Sequence, residues 1–136
     1  MFIVIEGLDG SGKSTVSKHL AEKLNAKLLM TPGAGFKEVR KQFDTVFEHN
    51  TKARQLFYMA TVLNVASEAQ RLIDSGQNVV VDRYWLSTQV YHHWMSNGQC
   101  YTLDEVESEL FAPDLTVYLD LPVDERIARI NNRNSK

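Results

Sequence analysis

The chain has 136 residues, 43% of them hydrophobic and 24% charged, and a formal net charge of −2. This composition predicts one soluble domain with a real core, and the absence of a basic surface argues against a nucleic-acid polymer as partner. No stretch approaches the length of a membrane span, and the single cysteine, Cys100, cannot form an internal disulfide. Because the chain starts in a strand rather than in a secretion signal, we predict a cytoplasmic protein.

Four short apolar segments predict β-strands, at residues 2–6, 26–30, 78–82 and 115–121. Their continuous Val, Ile and Leu runs are typical of strands that are buried on both faces. Helical patterns lie between them, at residues 13–24, 51–75 and 104–110. The alternation predicts an α/β protein with a parallel sheet flanked by helices.

Two further local predictions concern the chain after residue 100. Thr102 precedes the last of these helices as a predicted N-cap, with Glu105 as its capping-box partner. The polar segment 131–136 is predicted to be frayed.

A phosphate-binding loop follows the first strand directly. Residues 7–15 read Gly-Leu-Asp-Gly-Ser-Gly-Lys-Ser-Thr, a complete G-x-x-x-x-G-K-[ST] motif. Its glycines let successive backbone N–H groups converge on phosphate oxygens, and the following helix adds its positive N-terminal end. Lys13 is expected to reach the β- and γ-phosphates, and Ser14 to bind Mg²⁺. The predicted ATP-binding residues are Gly7, Asp9, Gly10, Ser11, Gly12, Lys13, Ser14 and Thr15.

A second chemical feature, Asp82-Arg83-Tyr84, lies where the third predicted strand ends. Ligands of open parallel sheets bind beyond the carboxyl ends of the strands, so Asp82 is expected to face the same crevice as the loop. There it can hold the water shell of Mg²⁺, while Arg83 binds a second phosphate. The alternative is a surface carboxylate paired with its neighbour. The histidines and Cys100 show no metal-ligand spacing, so the metal is expected to arrive with the nucleotide.

The chain resembles the thymidylate kinase family of P-loop nucleoside monophosphate kinases. The resemblance runs over residues 1–133 and rests on residues 2–9, the loop, Pro32-Gly33, Phe57, residues 82–84, Ser87, Tyr91 and residues 113–120. It implies a three-layer P-loop kinase fold and transfer of the ATP γ-phosphoryl group to a deoxynucleoside monophosphate, usually dTMP. Family members commonly dimerise through helices, and the apolar long helix at residues 51–75 would suit that role, so a homodimer is a further expectation.

The resemblance also implies roles for individual residues. Asp9 would accept a hydrogen bond from the sugar 3′-hydroxyl, Phe57 would stack on the base, and Tyr91 would crowd the 2′ position. Arg83, with Arg40, would hold the acceptor phosphate, and Ser87 belongs to the same substrate motif. Arg129 and Arg133 match the start of the family's arginine-bearing lid. The catalytic set is then Lys13, Asp82, Arg83, Arg129 and Arg133.

Simpler interpretations of these residues remain open. Phe57 and Tyr91 would also suit an apolar core. Arg40, Arg129 and Arg133 would also suit solvated helix faces.

The chain departs from the family pattern in its substrate contacts. Residues 29–35 lack the family's Arg and Glu, and Thr61 stands where the family places the arginine that hydrogen-bonds thymine, which leaves the acceptor base open. Gly10 occupies a loop position that is arginine in some members. Glycine at this position goes with catalytic arginines in the lid, for which Arg129 and Arg133 are the candidates here.

The chain also departs from the family in length. Family members continue past Lys136 through a complete lid, a fifth strand and a final helix. We therefore expect residues 1–136 to form one domain without these elements, with residues 116–119 as an exposed apolar sheet edge.

Two other functions fit parts of this pattern. A deoxynucleoside kinase needs a base to deprotonate its hydroxyl acceptor, and Met30-Thr31-Pro32 offers none, although Glu6 or Asp82 would be substitutes. The shortened chain would also suit a non-catalytic nucleotide-binding module.

Overall fold

A parallel sheet of four strands, in the order β2-β3-β1-β4, forms the middle of the protein, as the sequence predicts. The computed structural model describes residues 1–135. The strands are β1 (Phe2–Gly7), β2 (Lys27–Met30), β3 (Val79–Asp82) and β4 (Leu115–Leu119). The helices of the described residues are α1 (Lys13–Lys23), α2 (Val39–Val46), α3 (Thr51–Asp74), α4 (Trp85–Met95), α5 (Asp104–Glu109) and α6 (Val123–Asn134), with a short 3₁₀ helix at Ala34–Phe36.

The two central strands carry most of the buried β-structure. Every residue of β3 is buried, and so is every residue of β1 except its last. Strand β1 pairs in parallel with β3 on one side and with β4 on the other, and Ile5 lies opposite Asp82. Because neighbouring parallel strands end at the same edge of a sheet, the loop after β1 and the turn after β3 emerge together.

Helices cover both faces of the sheet, which confirms the predicted three layers. On one face, Phe2 and Val4 of β1 pack with Val62 and Val65 of α3. On the other, Ile3 and Ile5 of the same strand pack with residues of α1. Successive strand residues point to opposite faces, so one short apolar strand supplies both halves of the core.

The edge strands differ from the predicted burial. In β4, Leu115 and Tyr118 are 52% and 51% exposed, and β2 is likewise only partly covered. The prediction of strands buried on both faces is therefore wrong for β2 and β4, because an edge strand has a neighbour on one side only. The expected exposure of the sheet edge at residues 116–119 is confirmed, although the strand predicted to run to residue 121 ends at Leu119.

Two further predictions also need correction. The N-cap of α5 is Leu103, at φ +56° and without a side-chain cap, so the prediction of Thr102 as N-cap is wrong. The carbonyl of Thr102 instead accepts from Gln89, and three acidic residues in the first turn of α5 suit the positive end of that helix. Residues 131–134, predicted to be frayed, belong to α6, while Lys136 lies outside the described residues.

One negative finding concerns membranes. Over residues 1–135, no helix combines the length and the apolar character that crossing a bilayer requires.

A buried glutamine ties α3 to the segment before α5. Gln55 is 0% exposed, and its amide both donates to the carbonyl of Tyr101 (2.7 Å) and accepts from the N–H of Tyr101 (2.8 Å). This pairing satisfies two backbone groups that no strand partner reaches.

Replacing Gln55 by alanine is therefore expected to destabilise the protein by about 2–3 kcal/mol, because two backbone groups lose their partner and a cavity forms. The matched control is Gln70→Ala, on the exposed face of the same helix, with an expected change within about 0.5 kcal/mol. Urea denaturation measures both values, and equal midpoints for the two variants would contradict the structural role of Gln55.

Candidate active site

The phosphate-binding loop borders a cavity of about 290 Å³ at the carboxyl edge of the sheet. Gly10 and Gly12 have φ angles of +82° and +91°, a conformation that glycine adopts without strain. Six of the eight predicted ATP-binding residues line the cavity, and three arginines complete its wall: Asp9, Gly10, Gly12, Lys13, Ser14 and Thr15, with Arg83, Arg129 and Arg133.

The other two predicted loop residues, Gly7 and Ser11, do not line the cavity. A Cβ on Gly7 would lie 2.7 Å from both the carbonyl oxygen of Leu119 and Oγ of Ser11. Gly7 therefore allows the loop to pass close to β4.

Lys13 lies along the inside of the loop. Its Nζ donates to the carbonyl of Leu8 at 2.7 Å, and the residue is buried. Burial lowers the pKa of Lys13, and the nearby charge of Arg83 acts in the same direction. The ammonium group is thus held beside the converging N–H groups of the loop, where a phosphate oxygen can replace the carbonyl as its partner.

Asp82 and Ser14 meet at the mouth of the loop. Ser14 Oγ donates to Asp82 Oδ2 at 2.9 Å, so the two predicted metal-binding residues are in contact. The other carboxylate oxygen, Asp82 Oδ1, is buried and has no hydrogen-bond partner among residues 1–135. A buried orphan carboxylate oxygen next to a hydroxyl fits a hard cation such as Mg²⁺, which prefers oxygen ligands.

The protein supplies few other ligands for a cation. Over the described residues, no group of three or more His, Cys, Asp or Glu side chains could hold a metal. The donor set therefore fits an ion that brings most of its own ligands, as Mg²⁺ does with nucleotide phosphates and water.

Asp9 is the carboxylate among the cavity arginines. Its oxygens lie 3.1 Å and 3.3 Å from Nη2 of Arg133 and 4.0 Å from Nη2 of Arg83. Burial alone would raise the pKa of Asp9, but the hydrogen bond from Arg133 and the charges of both arginines lower it overall. The carboxylate thus holds two guanidinium groups at the cavity rim.

Helix α6 rests directly on the loop at Gly10. A Cβ on Gly10 would lie 2.8 Å from the carbonyl oxygen of Arg126 and 3.2 Å from Ile130. This close approach brings Arg129 and Arg133, on the same helix, into the cavity wall. A larger residue at position 10 would push α6 away, which gives a physical reason for glycine beside arginines on this helix.

The turn that carries Arg83 is fixed from both sides. Arg83 has a φ of +68°, its N–H donates to the carbonyl of Ile5 (3.0 Å), and its carbonyl accepts from Thr31 Oγ1 (2.9 Å). A non-glycine residue adopts such a φ only where its surroundings impose it. Thr31 therefore has a positioning role that its place in the sequence did not reveal.

Glu6 supports the next residues of the same turn. Its carboxylate is 1% exposed and accepts from the N–H of Tyr84 at 3.0 Å and from the hydroxyl of Ser87. Both donors lie at the N-terminus of α4, whose dipole stabilises a negative charge. Both oxygens of Glu6 are thus engaged. The signal in the sequence is a carboxylate inside an otherwise apolar buried strand.

The predicted base-pocket residues form a second group, on α3 and α4. Phe57 stacks on Phe43 with ring centroids 4.5 Å apart, and the hydroxyl of the buried Thr61 donates to the carbonyl of Tyr58 (2.6 Å). Tyr91 lies on α4 and is 49% exposed.

Arg40 and Ser87 also lie outside the phosphate cavity. Arg40 points to Asp44 on α2, with its Nε 4.0 Å from the carboxylate, and Ser87 is bound to Glu6. In the described part of the chain, none of Arg40, Phe57, Thr61, Ser87 and Tyr91 lines the cavity.

Comparison with known proteins connects this geometry to a family. The family model described as Thymidylate kinase matches residues 5–136. This chain belongs to the thymidylate kinase family. A relative from Thermococcus gammatolerans, named "Probable thymidylate kinase", is 34% identical over an alignment of 153 positions. The alignment covers 100% of this chain and 73% of the relative.

Solved structures agree with this assignment. The thymidylate kinase of Ehrlichia chaffeensis has a TM-score of 0.77 and 26% identity, covering 99% of this chain and 79% of that one. A deoxyadenosine kinase from M. mycoides has a TM-score of 0.65 and 22% identity, covering 98% of this chain and 71% of that one, and shares the fold. The predicted thymidylate kinase resemblance is thereby confirmed.

The role of Glu6 in this thymidylate kinase family member can be tested by Glu6→Gln. The amide keeps the shape but removes the negative charge at the N-terminus of α4, so a loss of about 1–2 kcal/mol of stability is expected. Glu22→Gln, on the exposed face of α1, is the control. Urea denaturation compares the two, and a Glu6→Gln midpoint equal to that of the control would count against a supporting role.

Proposed function

We propose that this protein transfers the γ-phosphoryl group of ATP to a deoxynucleoside monophosphate, converting dTMP to dTDP. The observation that carries the proposal is the 2.9 Å contact between Ser14 and Asp82 at the loop mouth. It joins a phosphate-binding loop to a carboxylate with a free buried oxygen, and the adjacent Arg83 faces the same cavity. Donor and acceptor phosphates then meet at one edge of the sheet.

The cavity residues supply charge stabilisation. Mg²⁺, bound with ATP by Ser14 and Asp82, would neutralise charge on the donor phosphates. Lys13 replaces its bond to the Leu8 carbonyl with one to a phosphate oxygen, and Arg129 and Arg133 spread the negative charge of the transferring group. Arg83 holds the acceptor phosphate in line, because its turn is fixed by Thr31 and Ile5.

The acceptor nucleoside is assigned to the second group of residues. Phe57 provides an aromatic face for the base, Thr61 and Ser87 contribute to the pocket wall, and Tyr91 disfavours a ribose. Arg40 joins Arg83 at the acceptor phosphate. On binding, Asp9 exchanges its arginine partner for the sugar 3′-hydroxyl.

The geometry favours a phosphate acceptor over a hydroxyl acceptor. A hydroxyl must lose its proton to a base, but both oxygens of Glu6 are hydrogen-bonded in a buried site, and Asp82, with one oxygen paired with Ser14, is assigned here to Mg²⁺. An acceptor phosphate is already an anion and needs only orientation and charge neutralisation.

A cytoplasmic location and the absence of a nucleic-acid partner stay predictions.

The proposal is tested by assaying Mg-ATP with dTMP, dUMP, dGMP, dCMP, AMP and thymidine. We expect turnover of dTMP that EDTA abolishes, and a fall of at least about 100-fold in kcat for Lys13→Ala, since a charge at the transition state is lost. Lys18→Ala, on the exposed face of the same helix, should retain activity.

Other outcomes of this assay point to other functions. Phosphorylation of thymidine but not of dTMP would identify a deoxynucleoside kinase. ATP binding without transfer to any acceptor would identify a binding module, and near-normal kcat in Lys13→Ala would refute the role of the loop.

We also propose that the protein forms a homodimer through α4. Leu86, Val90 and Trp94 follow one another at helical spacing and are 46%, 49% and 74% exposed. Such a contiguous apolar stripe on one face of a helix suits burial against a second copy.

Introducing a charge into this stripe should separate the subunits. Trp94→Glu is expected to give monomers in sedimentation velocity at concentrations where the wild type is dimeric, because a carboxylate would have to be buried without a partner. The control Asn132→Glu adds the same charge on α6. A monomeric wild type, or a dimer that Trp94→Glu leaves intact, would refute an interface at α4.

A further inference from the structure

Helix α2, which carries Arg40, has little packing of its own. None of its eight residues is buried, and so short a helix is not stable in isolation. Phe43 attaches it to α3 by stacking on Phe57 at 4.5 Å. The position of Arg40 therefore depends on what holds α2 against α3.

Asp44 provides the polar part of that attachment. Its carboxylate accepts from the hydroxyl of Tyr58 at 3.0 Å and lies 3.7 Å from Nε of Arg54, both on α3. Its backbone carbonyl accepts from Nη2 of Arg54 at 3.0 Å. One residue of α2 thus makes three contacts with two side chains of α3.

The same carboxylate faces Arg40 one turn earlier on α2, at 4.0 Å. Two guanidinium groups therefore share one carboxylate, and the cluster keeps a net positive charge beside Phe57. Without Asp44, the like charges of Arg40 and Arg54 would repel each other. The hydroxyl of Tyr58 remains a donor at physiological pH, because burial and its bond to Asp44 raise its pKa to about 12.

We propose that Asp44 is a positioning residue for acceptor binding: it fixes α2 on α3 and holds Arg40, with Arg54 beside it, next to the aromatic face of Phe57. The inference rests on the function proposed above. It assigns Arg40 to the acceptor phosphate and gives Arg54, which the sequence did not indicate, the role of holding Asp44 from α3. The side chain of Arg54 is only 13% exposed and its Nε is buried without a hydrogen-bond partner within residues 1–135, so Arg54 is enclosed rather than open to an incoming phosphate.

The test is a double-mutant cycle of Asp44→Asn and Arg40→Ala, with kcat and KM measured for dTMP and for ATP. Asp44→Asn should raise KM for dTMP about tenfold, the size expected for a bond to a charged group, while kcat stays within about twofold. KM for ATP should not change. In the Arg40→Ala background, the same substitution should alter KM for dTMP by less than about twofold, because its effect passes through Arg40.

Two further measurements keep the proposal testable if Asp44→Asn folds poorly. Tyr58→Phe leaves the carboxylate and both arginines in place but removes one bond to α3, so KM for dTMP should rise about threefold. In Asp44→Asn, the backbone amides of α2 should lose protection against hydrogen exchange, while those of the central strands keep theirs. Asp74→Asn, at the exposed end of α3, should behave as the wild type in every measurement.

The outcomes separate this proposal from the proposed function. Wild-type turnover of dTMP with an unchanged KM in Asp44→Asn, or equal effects in both backgrounds, would refute the positioning role alone. If the wild type binds dTMP by calorimetry without turnover, the proposed function fails and the dissociation constant replaces KM in the same cycle. No binding of dTMP to the wild type would overturn both.

Discussion

The parallel pairing of β1 with β3 is the constraint on which the site depends. Ile5 lies opposite Asp82, so the phosphate-binding loop begins two residues beyond the level at which β3 ends. A shift of this register by one residue would turn Asp82 toward the opposite face and break its contact with Ser14. The register is held by the apolar side chains of both strands, which are buried against α1 and α3. Core packing and phosphate chemistry are thus parts of one arrangement.

Two buried carboxylates at this edge of the sheet illustrate how surroundings set a role. Glu6 has both oxygens hydrogen-bonded at the N-terminus of α4, so its charge supports the Arg83 turn and is closed to other partners. Asp82, at the end of the neighbouring strand, has one oxygen paired with Ser14 and the other unpaired. Full pairing fits a structural role for Glu6, whereas the unpaired buried oxygen of Asp82 leaves an acceptor that a cation can occupy. The residue types alone do not distinguish the two.

The central strands, the loop and the long helix α3 were predictable, because each has a strong local pattern: continuous apolar residues, spaced glycines or helical periodicity. The contact between Asp82 and Ser14 was predictable as well, since it follows from the rule on strand ends. Helices α2, α4 and α6 were not predicted: they have only 8, 11 and 12 residues, so their periodicity spans about two to three turns, against the 24 residues of α3. Thr102 followed the capping-box pattern, but the chain enters α5 through Leu103 in a left-handed conformation, which tertiary contacts decide. The bonds of Thr31 and Glu6 to the Arg83 turn join residues more than 50 positions apart in the chain, which local patterns do not reveal.

The arginines of this protein follow one physical principle in both of their groups. Asp9 holds Arg83 and Arg133 at the phosphate cavity, and Asp44 holds Arg40 and Arg54 beside the aromatic cluster. A free arginine side chain loses about 2 kcal/mol of conformational entropy when it is fixed, and a carboxylate partner imposes part of that order in advance. These pairs are partly exposed, so they add little to stability, and an incoming phosphate with more charge can displace the carboxylate. In each group, the carboxylate therefore holds the arginine side chains in place, and the group keeps a net positive charge. Thr61, on the same helix as Arg54, carries no charge, and its hydroxyl donates to the carbonyl of Tyr58. The guanidinium of Arg54 lies two turns nearer the N-terminus of α3 and donates to the carbonyl of Asp44 on α2.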